Sequence, residues 1–490
     1  MTDIDRRRGA TFATLVALIA LAMVAAALVG CAVGPNYVKP DTKVAPQFEG
    51  ARDGAFTPQD VQARFWTQFG DDTLNHLVAD ALDANHDLRI ALGHLVEARA
   101  DRRQAAFDLA PTVTASGGYT KQQFPAVNSG FGAPLNEQYY DAGFDAFWEL
   151  DFFGRIRRNV EAQSAQLQGA EASLRDAQVS VTAEVARTYF ELRGEQTRLA
   201  VAFRNVDNQR ETLQLTQARL DAGRATELDT ARAQAQLSQT LSTIGPLQAA
   251  IARSIHRLSV LTGREPNALM SVLAAPRDLP ELPEITAVGD PAQLLRRRPD
   301  IRVAERQLAA STALVGAAVA DFFPKVTFVG NFSYAAAEPS QLGQSATRGY
   351  LIGPSISWAA FDLGRVQAEV AGSRARADVA LATYEQTVLR ALEETENALV
   401  THARTRDSLQ QAAQAAYASQ TAARIARTRY EGGLVDFLDV LDADRTQLAA
   451  EDRLAQSRTD AATSLIAVYK SLGGGWEQAP PPRYVHQTGG

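Results

Sequence analysis

Cysteine is nearly absent: the 490-residue chain has one, Cys31. A single cysteine excludes an intramolecular disulfide and any zinc site built on thiolates. A surplus of positive charge is missing as well. Lys and Arg number 49 against 56 Asp and Glu, for a net charge of −7, so the chain lacks the basic surface that nucleic acid requires. The six histidines, His76, His86, His94, His256, His402 and His486, are scattered, and no His-Glu-x-x-His zinc motif occurs. There is no phosphate-binding loop and no nucleophile elbow, so the chain does not read as an enzyme. Glu393, Glu394 and Glu396 cluster on an expected helix, where a solvated or helix-pairing face explains them better than acid–base chemistry. Proline is missing from Gly154 to Leu220 and again from Gly364 to Tyr430. After residue 30 no apolar run approaches the roughly 20 residues of a membrane-spanning helix. Membrane insertion downstream of that point must use β-strands, whose signal is weaker.

What is present begins with the N-terminus. Arg6-Arg7-Arg8 is followed by an apolar stretch from Thr11 to Leu28 and closes on Leu28-Val29-Gly30-Cys31. Charge, apolar run and small residues are the parts of a secretory signal peptide, and a cysteine directly after them resembles a bacterial lipobox. That resemblance implies cleavage before Cys31, a diacylglycerol on its thiol and an acyl chain on the new amine. The competing reading, a membrane helix with an incidental cysteine, has an apolar run only at the lower length limit of a span. Removing residues 1–30, which carry a net +1, leaves the mature chain at −8. One acyl chain anchors marginally and stable attachment takes more than one; a triacylated cysteine meets that need.

The chain also repeats itself. Trp148, Gly154-Arg155, Glu184, Arg219, Gly223, Leu228-Asp229 and Gly263 match Trp358, Gly364-Arg365, Glu394, Arg429, Gly433, Leu438-Asp439 and Gly473 at an offset of 210. Asp87, Arg89, Ala91 and Pro111 match Asp300, Arg302, Ala304 and Pro324 at an offset of 213. Such a repeat decides the fold before local structure does. Each half reads as a helix of about 22 residues, two strands, a very long helix and a second long helix. Pro111 and Pro324 end the first helices at 86–110 and 299–323.

In the strand regions the period drops to two. Residues 139–150 set Tyr140, Ala142, Phe144, Ala146, Trp148 and Leu150 against Asp141, Asp145 and Glu149. Residues 325–334 and 350–358 alternate in the same way, and 112–120 less strongly. One apolar and one polar face suit a transmembrane barrel or a soluble sandwich. Four strands per chain cannot close a barrel, and open edges cannot face lipid. Several chains must then share one barrel; three would supply twelve strands. The proline-free helices, about 66 residues each, reach roughly 100 Å. Val185, Leu192, Leu199, Val206, Leu213 and Leu220 recur every seven residues, after an earlier phase at Val160, Leu167, Leu174 and Val181. The slip between phases is a stutter. Leu237, Leu241, Ile244, Ile251, Ile255 and Leu258 form the partner seam, and Pro246 is expected to kink that helix.

These features together resemble the TolC-like outer-membrane efflux proteins, in particular their NodT-type lipoprotein branch. The markers are Cys31-Ala-Val-Gly-Pro-Asn-Tyr37, Trp148-Glu-Leu-Asp-Phe-Phe-Gly-Arg155, Arg296-Arg-Arg-Pro-Asp-Ile301 and Tyr469-Lys-Ser-Leu-Gly-Gly-Gly-Trp476. The resemblance implies a mixed, mainly α fold: a homotrimeric twelve-stranded outer-membrane β-barrel continued by a coiled-coil α-helical barrel through the periplasm. It divides the chain into a signal peptide at 1–30 and a lipidated segment with part of an equatorial belt at 31–85. A first repeat at 86–263 holds β-hairpin 112–150 and long helices 154–220 and 226–262. An equatorial linker at 264–298 follows. The second repeat at 299–471 holds β-hairpin 325–361 and long helices 365–430 and 435–471, and an equatorial tail runs 472–490. The implied partners are outer-membrane lipid, a periplasmic adaptor (membrane fusion) protein and an inner-membrane pump of the proton-driven resistance-nodulation-division type. No nucleic acid and no cofactor beyond the Cys31 lipid are implied.

The long helices turn at 221–229 and 431–439. Gly223 and Gly433 suit the positive φ of a helix C-cap, and Thr226 and Asp436 are expected N-caps. By resemblance the tips, with Gly223, Thr226, Asp229, Gly433 and Asp436, also meet the adaptor. Leu438, Asp442 and Arg445 share one helix face, and by resemblance this face, with Asp439 beside it, forms the closed periplasmic gate. Three copies would place a leucine ring and a carboxylate ring near the axis, with Arg445 bonding neighbouring helices. The competing reading is a solvated face carrying an Asp442–Arg445 pair. Functionally, the resemblance implies the conduit of a tripartite efflux system for small toxic compounds. The alternatives are a conduit for type I protein secretion and a periplasmic adaptor, which would lack the β-hairpins and the duplication.

Overall fold

The computed structural model describes residues 32–52, 56–125 and 135–476. Cys31 and the leader before it lie outside the described residues. In chain order the elements are β1 (Phe56–Thr57), α1 (Asp72–Ala84), α2 (His86–Phe107), β2 (Thr112–Phe124), β3 (Leu135–Leu150), α3 (Arg155–Asp221) and α4 (Glu227–Leu261). There follow α5 (Met270–Leu273), β4 (Thr286–Ala287), α6 (Pro291–Arg297), α7 (Pro299–Ala320), β5 (Lys325–Ala336), β6 (Arg348–Ser357), α8 (Leu363–Glu431) and α9 (Phe437–Ser471). The four long helices fall within two residues of the bounds read from the proline gaps and turn glycines. Pro246 sits inside an unbroken α4. Among the described residues no helix is long and apolar enough to cross a membrane.

The chain folds as two units that cut across the repeats. One holds the segment ending at Asp41 with Leu95–Ala170 and Val303–Glu385; the other holds Thr42–His94, Glu171–Arg302 and the chain from Gln386.

The first unit contains an antiparallel sheet of order β2-β3-β5-β6. Its register puts the four alternations in phase. Ala115 pairs with Phe144, Phe144 with Phe332 and Phe332 with Tyr350; Trp148 pairs with Phe328, and Leu150 with Val326 and then Ile356. Opposed residues of an antiparallel pair share a face, so one face is apolar across all strands. The other carries Thr114, Asp145 and Asn331 in one row, and Asn331 Nδ2 donates to Asp145 Oδ1 at 2.8 Å. Tyr350, Ile352 and Ile356 on the apolar face are largely exposed. A soluble sandwich would bury such a face under a second layer; the only other sheet among the described residues is the two-residue β1–β4 pair.

Both tryptophans that end the strand regions bond back to the preceding helix end. Trp148 Nε1 donates to Leu109 O and Trp358 Nε1 to Phe322 O, each at 3.0 Å. The acceptors are repeat mates at offset 213. The segment after Cys31 is clamped in this unit. Val33 N donates to Phe153 O at 3.1 Å, and the buried Arg158 guanidinium donates to Val33 O, Gly34 O and Asn36 Oδ1. Gly154, at φ +83°, leaves so little room that an added Cβ would lie 2.6 Å from Ala32. Ala162 and Ala165 of α3 pack on Ala309, Ala310 and Ala313 of α7, small side chains that allow close helix approach.

In the second unit the heptad seam is buried at Val185, Leu192 and Val206, and its partner seam at Leu237, Ile255 and Leu258. Each such side chain contributes about 1.5–3 kcal/mol of transfer free energy. Leu241 departs from the expected seam and is exposed. The bases of the two hairpins are tied by mates. Asn85 Nδ2 donates to Leu261 O, and Arg298 Nη1 to Ser471 O, both at 2.9 Å. Arg298 also pairs with Asp300 and Glu394, so its buried charge is compensated. Glu396 accepts from the Glu49 and Gly50 amides. Glu394 and Glu396 of the acidic cluster are thus occupied in structural bonds, while Glu393 is exposed.

Candidate channel gate and helical tips

The tips begin with helix ends that must turn sharply. The last carbonyls of a helix lack partners within it. Gly223 and Gly433, at φ +65° and +70°, let the chain fold back on them. Gly223 N donates to Leu220 O and Arg224 N to Arg219 O; Gly433 N donates to Tyr430 O and Leu434 N to Arg429 O. These are paired Schellman closures. On the first tip Thr226 then caps α4 reciprocally: its hydroxyl accepts from Asp229 N at 3.3 Å while Asp229 Oδ2 accepts from Thr226 N at 3.0 Å. On the second tip Asp436 occupies the N-cap position, but its side chain makes no capping bond, contrary to the expectation from its type.

Packing replaces the missing cap. Phe437, Val440 and Leu441 of α9 are buried with Tyr430 of α8 and Ala233 of α4. The Phe437 and Tyr430 rings lie 5.8 Å apart. A turn further on, Asp444 is buried and pairs with Arg427 at 2.8 Å. Burial pushes the Asp444 carboxyl up, and the Arg427 guanidinium beside it pulls it part of the way back. Asp444 is therefore part of the helix interface and not of the exposed acidic stripe.

With that face turned inward, the 3.6-residue period puts Leu438, Asp439, Asp442 and Arg445 on the opposite, exposed face of α9. Leu438 is 54 % exposed, as its repeat mate Leu228 is at 57 %. Arg445 is not paired with Asp442. Its Nε donates to Gln236 Oε1 at 2.6 Å, bonding α9 to α4. The solvated-pair reading thus loses its pair. Asp442 keeps its carboxylate on the exposed face. Sequence reasoning missed Gln236, Arg427 and the Phe437 cluster, all of which depend on contacts between distant helices. The helical period does mark the inward face.

Among the described residues no group of three His, Cys, Asp or Glu side chains could hold a metal ion. His402, the histidine with the most distinctive setting, is buried on α8 with Nδ1 2.9 Å from Ser464 Oγ. Burial, and the Arg406 charge after it, lower its pKa from 6.5 to about 4, so it stands neutral in the helix interface at neutral pH.

The family model for outer membrane efflux proteins matches residues 77–264 and 291–474. A probable efflux pump outer membrane protein of Pseudomonas putida, TtgC, is 31% identical over 94% of this chain and 96% of its own length. Nodulation protein T of Rhizobium leguminosarum bv. trifolii is 30% identical over 92% of this chain and 95% of its own. The solved outer-membrane channel OprN superposes with a TM-score of 0.86 at 45% identity, covering 92% of this chain and all of that one. Two matched blocks separated by a linker are what the internal repeat requires, and the four-stranded sheet with its long helical hairpins is the architecture of those channels. The chain belongs to the outer membrane efflux protein family, which is made of channels and not of enzymes, and it is the TolC-like outer-membrane component of an efflux system.

Proposed function

We propose that three copies of the chain close a twelve-stranded barrel in the outer membrane, that Cys31 carries a supplementary lipid anchor, and that the exposed face of α9 is the periplasmic gate. The observation that carries this reading is the in-phase register of an open sheet. It has one apolar face across β2, β3, β5 and β6, and its two edges, β2 and β6, lack any neighbour among the described residues. Unpaired backbone groups are not tolerated against lipid, and joining β6 of one copy to β2 of the next removes every edge.

In this trimer Leu438 narrows the passage sterically and Asp442 favours cations. Arg445 holds α9 to α4 through Gln236 in the resting state. Opening swings the α8–α9 pair outward when a periplasmic adaptor docks on the tips, at Gly223, Thr226, Asp229, Gly433 and Asp436. Asp439 adds charge beside the gate. An inner-membrane pump, proton-driven and of the resistance-nodulation-division type, delivers the compound. Export of small toxic compounds is favoured over protein secretion because relatives are named for antibiotic, toluene and cation efflux.

The test uses the whole protein in planar bilayers. Replacing Asp442 and Arg445 together by Ser should raise single-channel conductance several-fold; an unchanged conductance in a trimer of normal mass removes the gate from this face. Cys31→Ser should impair processing or sorting and leave trimer formation intact, so exported Cys31→Ser protein that stays monomeric would refute the supplementary role of the lipid.

A further inference from the structure

The duplication reaches individual hydrogen bonds. Trp148 to Leu109 recurs as Trp358 to Phe322, and Asn85 to Leu261 recurs as Arg298 to Ser471. The Schellman closure at Gly223 recurs at Gly433, and that at Gly263 recurs at Gly473. Each of these bonds stays within its own half of the chain.

Other bonds cross between the repeats, as Arg198 to Asp452 and Arg445 to Gln236 do, and one of them lies at the helix ends. Arg219, in the last turn of α3, reaches the end of α8. Its Nη2 donates to the carbonyl oxygens of Tyr430 and Glu431, the latter at 3.0 Å. Its guanidinium lies 4.0 Å from the centre of the Tyr430 ring. The glycine closure of α8 uses the Arg429 and Tyr430 carbonyls and leaves that of Glu431 to Arg219. A cation at this end also complements the helix dipole.

The repeat mate of Arg219 is Arg429, and the mates of its acceptors Tyr430 and Glu431 are Leu220 and Asp221. Arg429 is exposed, and among the described residues no hydrogen bond or ion pair engages its guanidinium. The end of α3 offers the matching acceptor: its glycine closure uses the Arg219 and Leu220 carbonyls and leaves that of Asp221 open. Within one chain the latch runs from first repeat to second. Its mate can run only from second repeat to the first repeat of another copy.

We propose that Arg429 caps the α3 C-terminus of the neighbouring copy, donating to the Leu220 and Asp221 carbonyl oxygens. The inference rests on the shared-barrel reading above. Six tips are then joined by six latches, three within chains and three between them. The two kinds are unequal. Arg219 lies on the Tyr430 ring, a cation–π contact, whereas Arg429 meets Leu220. The latch between copies is the weaker and yields first when the tips part.

The experiment uses full-length protein purified in detergent, with trimer mass measured by light scattering. Arg429→Cys with Asp221→Cys, treated with a short bis-maleimide, should yield two- and three-chain species on a denaturing gel. Arg219→Cys with Glu431→Cys should cross-link within one chain. The unsubstituted protein, carrying only Cys31, sets the background. A trimer in which the Arg429/Asp221 pair stays single-chain, while the Arg219/Glu431 pair reacts, overturns the latch alone; absence of a trimer overturns the shared barrel and the latch with it. Arg429→Gln should also lower by several degrees the temperature at which the trimer separates in SDS, with helix content unchanged, and an unshifted temperature counts against the proposal.

Discussion

The two hairpin tips share a backbone and differ in what holds it. The first is self-sufficient: Thr226 and Asp229 cap each other across four residues. The second lacks a side-chain cap at Asp436 and is held by Phe437, Val440 and Leu441 against α4 and α8. Their mates in the first tip are Glu227, Thr230 and Ala231, which bury no comparable surface. On the exposed stripe Asp442 stands where the first tip has Arg232, and Arg445 where it has Ala235. Duplication kept the turn and changed the fastening. A tip fastened by tertiary contacts can be released by shifting a neighbour, whereas one fastened by its own cap moves as a rigid piece.

The largest test of this contrast is Phe437→Ala. Truncating a buried phenylalanine costs about 3–5 kcal/mol, and the loss should register as faster hydrogen exchange through the first turns of α9. Its mate Glu227→Ala should change exchange at the start of α4 by no more than about 0.5 kcal/mol, the usual range for a surface position. Equal responses at the two tips would erase the distinction.

A second comparison is between His402 and its mate Leu192, both buried. The folded pKa of His402 is lowered from 6.5 to about 4. Above pH 6.5 it therefore costs nothing. As the pH falls from 6.5 towards 4 the unfolded chain takes up a proton that the folded chain refuses, so stability drops by about 3 kcal/mol in all. His402→Leu, which copies the first repeat, should flatten this acid limb in thermal melts recorded between pH 7 and 4. An unchanged limb would place the acid sensitivity elsewhere.

The smallest expected effect is at the caps. Thr226→Ala should destabilise the start of α4 by about 1 kcal/mol, while Asp436→Ala, which removes no capping bond, should stay within about 0.5 kcal/mol. Measured by exchange at each helix start, a larger loss at Asp436 would show that the second tip is capped after all.

Much of the fold was legible because its signals are local or periodic. Proline gaps and turn glycines marked the long helices, and period-two alternation marked all four strands of the sheet. What escaped was set by distant contacts. β1 and β4 are two residues each, too short for any period, and exist because Phe56 and Thr286 meet in register. α1 and α6 lie in stretches read only as belt, although Asp71 and Asp290 cap them through Leu74 N and Gln293 N, signals that sequence reading could have used. At the candidate gate the shared face of Leu438, Asp442 and Arg445 followed from helical spacing. The partner of Arg445 did not, because Gln236 lies 209 residues away. Burial of Asp444 was hidden for a related reason: an aspartate reads as solvated until its arginine is found across the hairpin.

The repetition of hydrogen bonds between halves has a mechanical corollary. In a ring assembled from six identical units every joint is the same, so no unit is set apart to move. Fusing the units in pairs frees alternate members to diverge while the joints persist. Three can then serve as a stationary frame and three as moving leaves. In the proposed trimer, unequal tips within one polypeptide would let an aperture work without dismantling the wall that carries it.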